Sequence, residues 1–347
     1  MWNRREWGVA LATACWAAGA PVVRAQPRRV SERARLTVAI DRRSALCYLP
    51  LTIAERLSYF TIEGLDVQVR EYPSLAQAQQ AVLGNEAQVL CGPYSALLDL
   101  QSRGHSLRSL VLLGRAPQVV MGISQRTLAS YRGPFDLRGR KIGVMALGSS
   151  SHRVARMMVA RGRVPDQEVQ YLPLPQGDAA VAALRSGQID ALCHADLAIT
   201  ELEQGGDMRV VADLRTVRGN ADLFGGPWPS ACLSIPPDFA SAKAPQTQAL
   251  AHALVHALKW LQTAGPSDLI RAVPEAYFQG DRALYIAAFG RAREAWTSDG
   301  LMPADGPQTV VRALSRLAES GGGLPRVELA QTFTNDFALR AKAKFKA

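Results

Sequence analysis

The run Gly148-Ser-Ser-Ser-His152 puts three hydroxyls and an imidazole directly after an apolar stretch, Lys141 to Leu147, whose first part to Met145 is a strand candidate, and directly before a helical pattern that continues to about Arg161. Hydroxyls at a strand-to-helix junction can do two kinds of chemistry. Together with the first N–H groups of the helix they can cradle an anion or a carbonyl oxygen, with no formal charge required. Alternatively, one serine can act as a nucleophile with histidine as its base. The nucleophile lacks its framework: the sequence has no G-x-S-x-G elbow, and no third member of a triad is identifiable. The lysine of a phosphate-binding G-x-x-x-x-G-K-[ST] loop is missing as well. Gly148, Ser149, Ser150, Ser151 and His152 are therefore read as ligand contacts rather than catalytic groups, with one serine also serving as an ordinary helix cap.

Three further segments share this mixed character. They are Ser44 to Tyr48, which contributes Ser44, Cys47 and Tyr48; Gly92 to Ser95, which contributes Gly92, Tyr94 and Ser95; and His194-Ala-Asp196, which contributes His194 and Asp196. Tyr48, Tyr94 and Trp228 offer aromatic walls for a planar or apolar ligand body, and Phe224 offers either such a wall or lobe packing. Phe60 and Trp260 fall within helical patterns and are read as core. His152, His194, Cys47, Cys91 and Cys193 are residue types that suit a soft metal ion. They are scattered along the chain and none forms a C-x-x-C pair, so neither a metal site nor any other cofactor is expected. Cys47, Cys91, Cys193 and Cys232 are open to either a disulfide or buried free thiols.

The elements that must hold these loops show up in a repeat. At a constant offset of 102 residues, Val67, Gln68, Pro73, Ala78, Ala81, Leu90 and Cys91 match Val169, Gln170, Pro175, Ala180, Ala183, Leu192 and Cys193. Each copy reads as an extended run, a proline break, an alanine-rich helix, a residue tolerant of left-handed backbone (Asn85, Gly187) and a second apolar run. That is a βαβ unit with paired parallel strands, present twice. Upstream, Leu36 to Ile40 and Lys141 to Met145 supply one more strand apiece, each followed by a polar loop and a helix. The fold class predicted is α/β: two parallel-rich lobes joined by a hinge, with added C-terminal helices. Ser109–Gly114 and Gln118–Ser124, broken at Pro117, mark where the chain passes between lobes, and Ala231–Ile235 is the return strand. This gives a first lobe of residues 35–117 plus 232–347 and a second of 118–231. Helical patterns from Gln248 onward are expected to pack on the first lobe, and the lysine-rich tail beyond Arg340 to fray. Ligands of open α/β sheets sit beyond the carboxyl ends of the strands, which would bring four loops to one cleft: Ser44–Tyr48, Cys91–Ser95, Gly148–His152 and Cys193–Asp196.

Composition bounds the remaining choices. A hydrophobic share of 48% with 20% charged residues is that of a globular chain, not a disordered or fibrous one. The net charge of +10 is dispersed, with no basic block interleaved with aromatics, so nucleic acid is not an expected partner, whereas anionic ligands are favoured. Arg4 and Arg5, an apolar run from Trp7 to Ala20 and Val23-Arg24-Ala25 form the basic, apolar and small-residue layout of a cleavable export signal over residues 1–25. The mature chain is expected to be exported, soluble and monomeric.

Several motifs point to one family: Leu49-Pro-Leu-Thr-Ile-Ala-Glu-Arg-Leu-Ser-Tyr-Phe60, Glu63-Gly-Leu-Asp-Val67, Asp136-Leu-Arg-Gly-Arg-Lys-Ile-Gly-Val144, Gly148-Ser149 and Ser186-Gly-Gln-Ile-Asp-Ala191. In these the chain, over roughly residues 36–235, resembles periplasmic solute-binding proteins of the nitrate/sulfonate/bicarbonate/taurine group, which includes binders of pyrimidine precursors. The resemblance implies a two-lobed periplasmic-binding-protein fold that closes on a small-molecule ligand and delivers it to an ABC permease and ATPase of the inner membrane. The resemblance narrows the ligand to a class of small polar solutes; taken with the serine loop and the aromatic side chains, the reading is a non-enzyme whose ligand is a small organic anion, sulfonate- or nitrate-like, or a planar heterocycle. A pyrimidine-precursor synthase on the same fold and a periplasmic ligand sensor are the alternatives. The chain departs from the family where Glu-Pro is common after the Asp-Ala strand: here the loop reads Cys193-His-Ala-Asp196.

Overall fold

The computed structural model describes residues 33–318 and 327–347; the expected leader lies outside the described residues. The chain first lays down β1 (Ala34–Ile40), α1 (Leu49–Arg56), α2 (Tyr59–Ile62), β2 (Leu65–Glu71), α3 (Leu75–Leu83), β3 (Val89–Pro93), α4 (Ser95–Gln101) and β4 (Arg108–Leu112). It then enters a second sheet with β5 (Val119–Ser124), followed by β6 (Lys141–Val144), α5 (Ser150–Arg161), β7 (Gln170–Pro173), α6 (Gly177–Ser186), β8 (Ala191–Ala195), α7 (Ala198–Gln204), β9 (Met208–Asp213) and α8 (Val217–Phe224). Strand β10 (Ala231–Ile235) returns to the first sheet. The helices α9 (Pro237–Ala242), α10 (Ala244–Thr263), α11 (Pro266–Ala272), α12 (Arg282–Ala292), α13 (Gly306–Ala318) and α14 (Asp336–Phe345) follow.

The sheet orders are β2-β1-β3-β10-β4 and β7-β6-β8-β5-β9, the same pattern twice. In the first sheet β1 runs parallel to both β2 and β3, and β10 runs antiparallel to β3 and β4. In the second, β6 is parallel to β7 and β8, and β5 is antiparallel to β8 and β9. The repeat is therefore real, with one correction: the two strands of each βαβ unit are parallel but do not pair. The crossover skips over a strand laid down earlier, β1 in one copy and β6 in the other. Each sheet also takes its fourth strand from the chain as it arrives from the opposite sheet, so the two halves are interlocked at two crossings, between β4 and β5 and between α8 and β10.

The repeated residues explain the repeated packing. Ala78, Ala81, Ala180 and Ala183 are buried, and small side chains let α3 and α6 lie close on their sheets. Leu90, Cys91, Leu192 and Cys193 are fully buried in central strands covered on both faces. Asn85 and Gly187 take the left-handed backbone (φ 62° and 81°) expected just past a helix end.

Most C-terminal helices join the core of the first sheet: Leu250, Leu254, Leu258, Phe278 and Phe289 share one apolar cluster with Val38, Ile40 and Ile53. Helix α13 does not follow the expectation. Val310, Ala313 and Leu314 pack with Val154, Ala155 and Met158 of α5, so this helix reaches the second sheet. The tail is also not frayed: α14 docks on α10, burying Ala338 and Ala341, while Lys342 pairs with Asp299 and Lys344 with Glu63. Phe60 is core, and Trp260 packs against that core while half-buried. The cysteines at 47, 91, 193 and 232 are free thiols, the last three buried. Among the described residues no helix is long and apolar enough to cross a membrane.

Candidate functional site

The carboxyl ends of both sheets open onto one cleft of about 1020 Å³. All four predicted loops reach its wall: Ser44, Cys47 and Tyr48 from the first, Ser95 from the second, Gly148, Ser149 and Ser150 from the third, and Asp196 from the fourth. The two sides touch across it. Arg153 of α5 meets Asp99 of α4 at 2.5 Å, and Arg42 Nη1 lies 3.5 Å from Met145 Sδ. On the far side of the crossings Arg291 of α12 pairs with Glu203 of α7, and Val217 N–H donates to Glu294 Oε1 at 2.8 Å.

The serine row divides its labour. Ser149 is the N-cap of α5, in extended backbone; its Oγ accepts from His152 N–H at 3.4 Å and donates to Ala146 O at 2.6 Å. Ser151 is fully buried, and its Oγ accepts from Met145 N–H at 2.9 Å and lies 2.9 Å from Ser149 Oγ. Gly148 supplies the left-handed turn (φ 78°) that aims its N–H at His152 Nδ1, 2.9 Å away. His152 is thus an acceptor inside the loop, held by Gly148 and set edge-on to Tyr171 at 4.7 Å. Burial, with Arg156 and Arg153 nearby, lowers its pKa and keeps it neutral. The groups left over at the cleft are the Ser150 hydroxyl and N–H; the Ser151 N–H, buried behind them, is also without a partner among the described residues. This is the donor cluster at a helix N-terminus that the sequence pattern implied.

Six predicted residues lie off the cleft wall. Gly92 sits within β3, where the side chain of Leu75 covers it. Tyr94 is fully buried, and its hydroxyl lies 2.5 Å from Thr332 Oγ1. Ser151 and His152 are turned into their own loop. His194 is 4% exposed, with Nδ1 2.9 Å from Ala195 O and Nε2 3.1 Å from Leu174 O, and burial lowers its pKa. Trp228 is buried in a stack on Phe224, ring centroids 3.9 Å apart, so packing is what both aromatics do. For His194, within β8, the reason is alternation: neighbouring residues along a strand point to opposite faces, so only part of the side chains at a strand end reach the cleft.

Asp196 is on the wall but already engaged. Oδ1 accepts from Thr200 N–H (3.0 Å) and Thr200 Oγ1 (2.7 Å), and Oδ2 accepts from Arg215 Nη1 at 3.3 Å. Arg215, only 1% exposed, also bonds Asp213 and Glu203. Cys47 is half-buried on the wall, and burial pushes its thiol up to about 12. No group of three His, Cys, Asp or Glu side chains able to hold a metal occurs among the described residues.

Among the polar residues of the wall that sequence reasoning missed are Asp41, Arg42, Tyr72 and Gln118. The first three lie just past the carboxyl ends of the adjacent strands β1 and β2, a position the sheet rule marks. Gln118 carries no such signal. It is a glutamine at positive φ (53°), 4% exposed, at the first crossing between the sheets.

The NMT1/THI5-like family model matches residues 47–221. No curated protein matches the chain. A solved structure from Bordetella bronchiseptica RB50 is 39% identical, with a TM-score of 0.82 over 91% of this chain and 99% of that one. The alkanesulfonate-binding protein SsuA from Xanthomonas axonopodis pv. citri, solved bound to MOPS, is 19% identical, with a TM-score of 0.64 over 88% and 99%. The desulfurization enzyme DSZB is 16% identical, with a TM-score of 0.64 over 90% and 100%. The last two likenesses are of fold: the two-lobed architecture of periplasmic binding proteins, which also carries an enzyme. With half of its sequence matched by one model and a relative 39% identical along nearly its whole length, this chain belongs to the NMT1/THI5-like family.

Proposed function

We propose that this protein is the substrate-binding component of an ABC-type importer, exported to the periplasm, and that it captures a small organic anion or planar heterocycle between its two sheets. The observation that carries the reading is the cleft itself, walled by strand ends of both sheets. A ligand touching both walls gains contacts on closure that it lacks in the open form, and that difference shifts the open–closed equilibrium. The permease and ATPase of the inner membrane then respond to the closed shape. Ser150, the open N–H groups of α5 and the cation Arg42 favour an anionic group, and Tyr48 adds an aromatic surface. The likeness to an alkanesulfonate-binding protein supports the same class. The likeness to a desulfurization enzyme makes turnover the competing outcome. Against turnover stand His152 and His194, both tied to backbone groups off the wall, and Cys47, whose raised pKa leaves little thiolate at neutral pH.

A thermal-shift screen of alkanesulfonates, nitrate, aromatic carboxylates and pyrimidines tests this. A concentration-dependent rise in Tm with the compound recovered unchanged is expected, about 2.7 kcal/mol of stabilisation at a hundred times Kd. Conversion of the bound compound to a product would sink the binding-protein reading.

A further inference from the structure

The cleft wall carries buried polar atoms that none of the described residues satisfies. Asp41 Oδ1, Tyr72 OH and both amide atoms of Gln118, Nε2 and Oε1, have no hydrogen-bond partner among the described residues. All three residues line the cleft. An unpaired buried polar group costs about 1–3 kcal/mol, so three on one wall are a poor way to build a fold and a good way to build a specificity site. Ser149 and Asp196, on the same cleft, are by contrast fully engaged.

Their chemistry is directional. A carboxylate oxygen only accepts, so Asp41 Oδ1 needs a donor. The Gln118 amide needs one donor and one acceptor together. A bare oxyanion such as nitrate or an unsubstituted sulfonate brings acceptors only, which leaves Asp41 and Gln118 Oε1 orphaned. The unpaired charges agree. Among the described residues lining the cleft, Arg42 and Arg103 make no ion pair, but neither do Asp41 and Glu71. Arg42 reaches Met145, whose N–H is held by Ser151 at the start of α5, so the guanidinium and the open N–H groups form one anion-binding end. Asp41 and Tyr72 sit side by side past β1 and β2, where Tyr72 N–H donates to Ile40 O at 2.8 Å.

We infer that Asp41, Tyr72 and Gln118 select ligands that carry an N–H or O–H donor in addition to their anionic group. The substrate class is then an amino- or hydroxy-bearing organic acid rather than a simple oxyanion. This rests on the small-organic-anion reading above and narrows it.

The test is calorimetric titration of the full chain with matched pairs, ethanesulfonate against 2-aminoethanesulfonate and benzoate against 4-aminobenzoate, repeated on Gln118→Met and Asp41→Leu. In the wild type the amino member of at least one pair binds tenfold or more tighter than its partner. Gln118→Met, which keeps the volume but loses both amide atoms, erases most of that preference while its circular dichroism spectrum is unchanged; Asp41→Leu does the same. Equal binding within each pair, or a preference that survives in a folded Gln118→Met, overturns the inference and leaves the importer reading standing. Absence of binding by all four probes counts against the organic-anion reading, and the inference falls with it.

Discussion

At the residue scale, the serine row turned out to contain two jobs that sequence could not separate. Ser149 caps α5, and Ser151 pins the preceding strand end through Met145, while Ser150 alone keeps its hydroxyl for the cleft. Two substitutions that look alike should therefore act differently. Ser149→Ala removes the cap and lowers stability by about 1 kcal/mol, visible as a lower Tm. Ser150→Ala leaves Tm within experimental scatter and weakens ligand binding instead. The reverse pattern in the same pair of measurements would refute this division. Tyr94 changes role in the same way. As a fully buried side chain bonded to Thr332, it is a stability residue, and Tyr94→Phe costs roughly 1 kcal/mol of stability from the lost hydrogen bond with affinity retained. A drop in affinity at unchanged stability would put it back at the ligand.

At the element scale, the proposed closure depends on contacts between the two halves. Arg153 and Asp99 join α5 to α4 across the cleft mouth, and Arg291 and Glu203 join α12 to α7 behind it. The Arg153–Asp99 pair is partly exposed, so it is worth at most about 1 kcal/mol, a factor of about five in an open–closed equilibrium. Asp99→Asn is expected to shift the ligand-free protein toward the open form. Small-angle scattering should then show a larger radius of gyration than in the wild type, and added ligand should bring the two to the same value. Identical ligand-free scattering curves would remove this pair from the closing mechanism. The strand and helix pattern that positions these contacts was largely legible, because hydrophobic period and turn residues are local signals. The destination of α13 was not. Its amphipathic stripe shows that it packs, but the stripe is equally compatible with either sheet.

At the scale of the whole molecule, stability is tied to pH through groups buried neutral or held ionised. His152 and His194 have pKa values lowered by burial, so the native state binds their protons less readily than the unfolded chain, in which histidine titrates near 6.5. Their contribution is complete above about pH 6.5 and is lost as pH falls through and below that value. Burial works to raise Glu63, but hydrogen bonds from Lys344 and His252 outweigh it and hold its pKa low; that contribution persists to about pH 4.5 and is lost below. Tm should thus fall in two stages on acidification. In the double variant His152→Asn/His194→Asn the first stage should flatten, because asparagine keeps hydrogen-bonding groups and does not titrate. An unchanged step between pH 7.5 and 5.5 would show that other groups carry it.

What the sequence determined by itself was the architecture: a duplicated α/β unit, the positions of its strands and helices, and the four loops at the strand ends. These follow from periodicity, from left-handed positions such as Gly187 and Asn85, and from the offset of 102 residues, all properties of neighbours along the chain. The tertiary structure decided which side chains of those loops face the cleft. It turned His194, Tyr94 and Trp228 inward and brought Gln118, Asp41 and Tyr72 to the wall with their polar atoms unpaired. The reason is physical. Whether a polar atom is free depends on what the rest of the fold places within hydrogen-bond reach of it, and those partners come from segments far away in sequence.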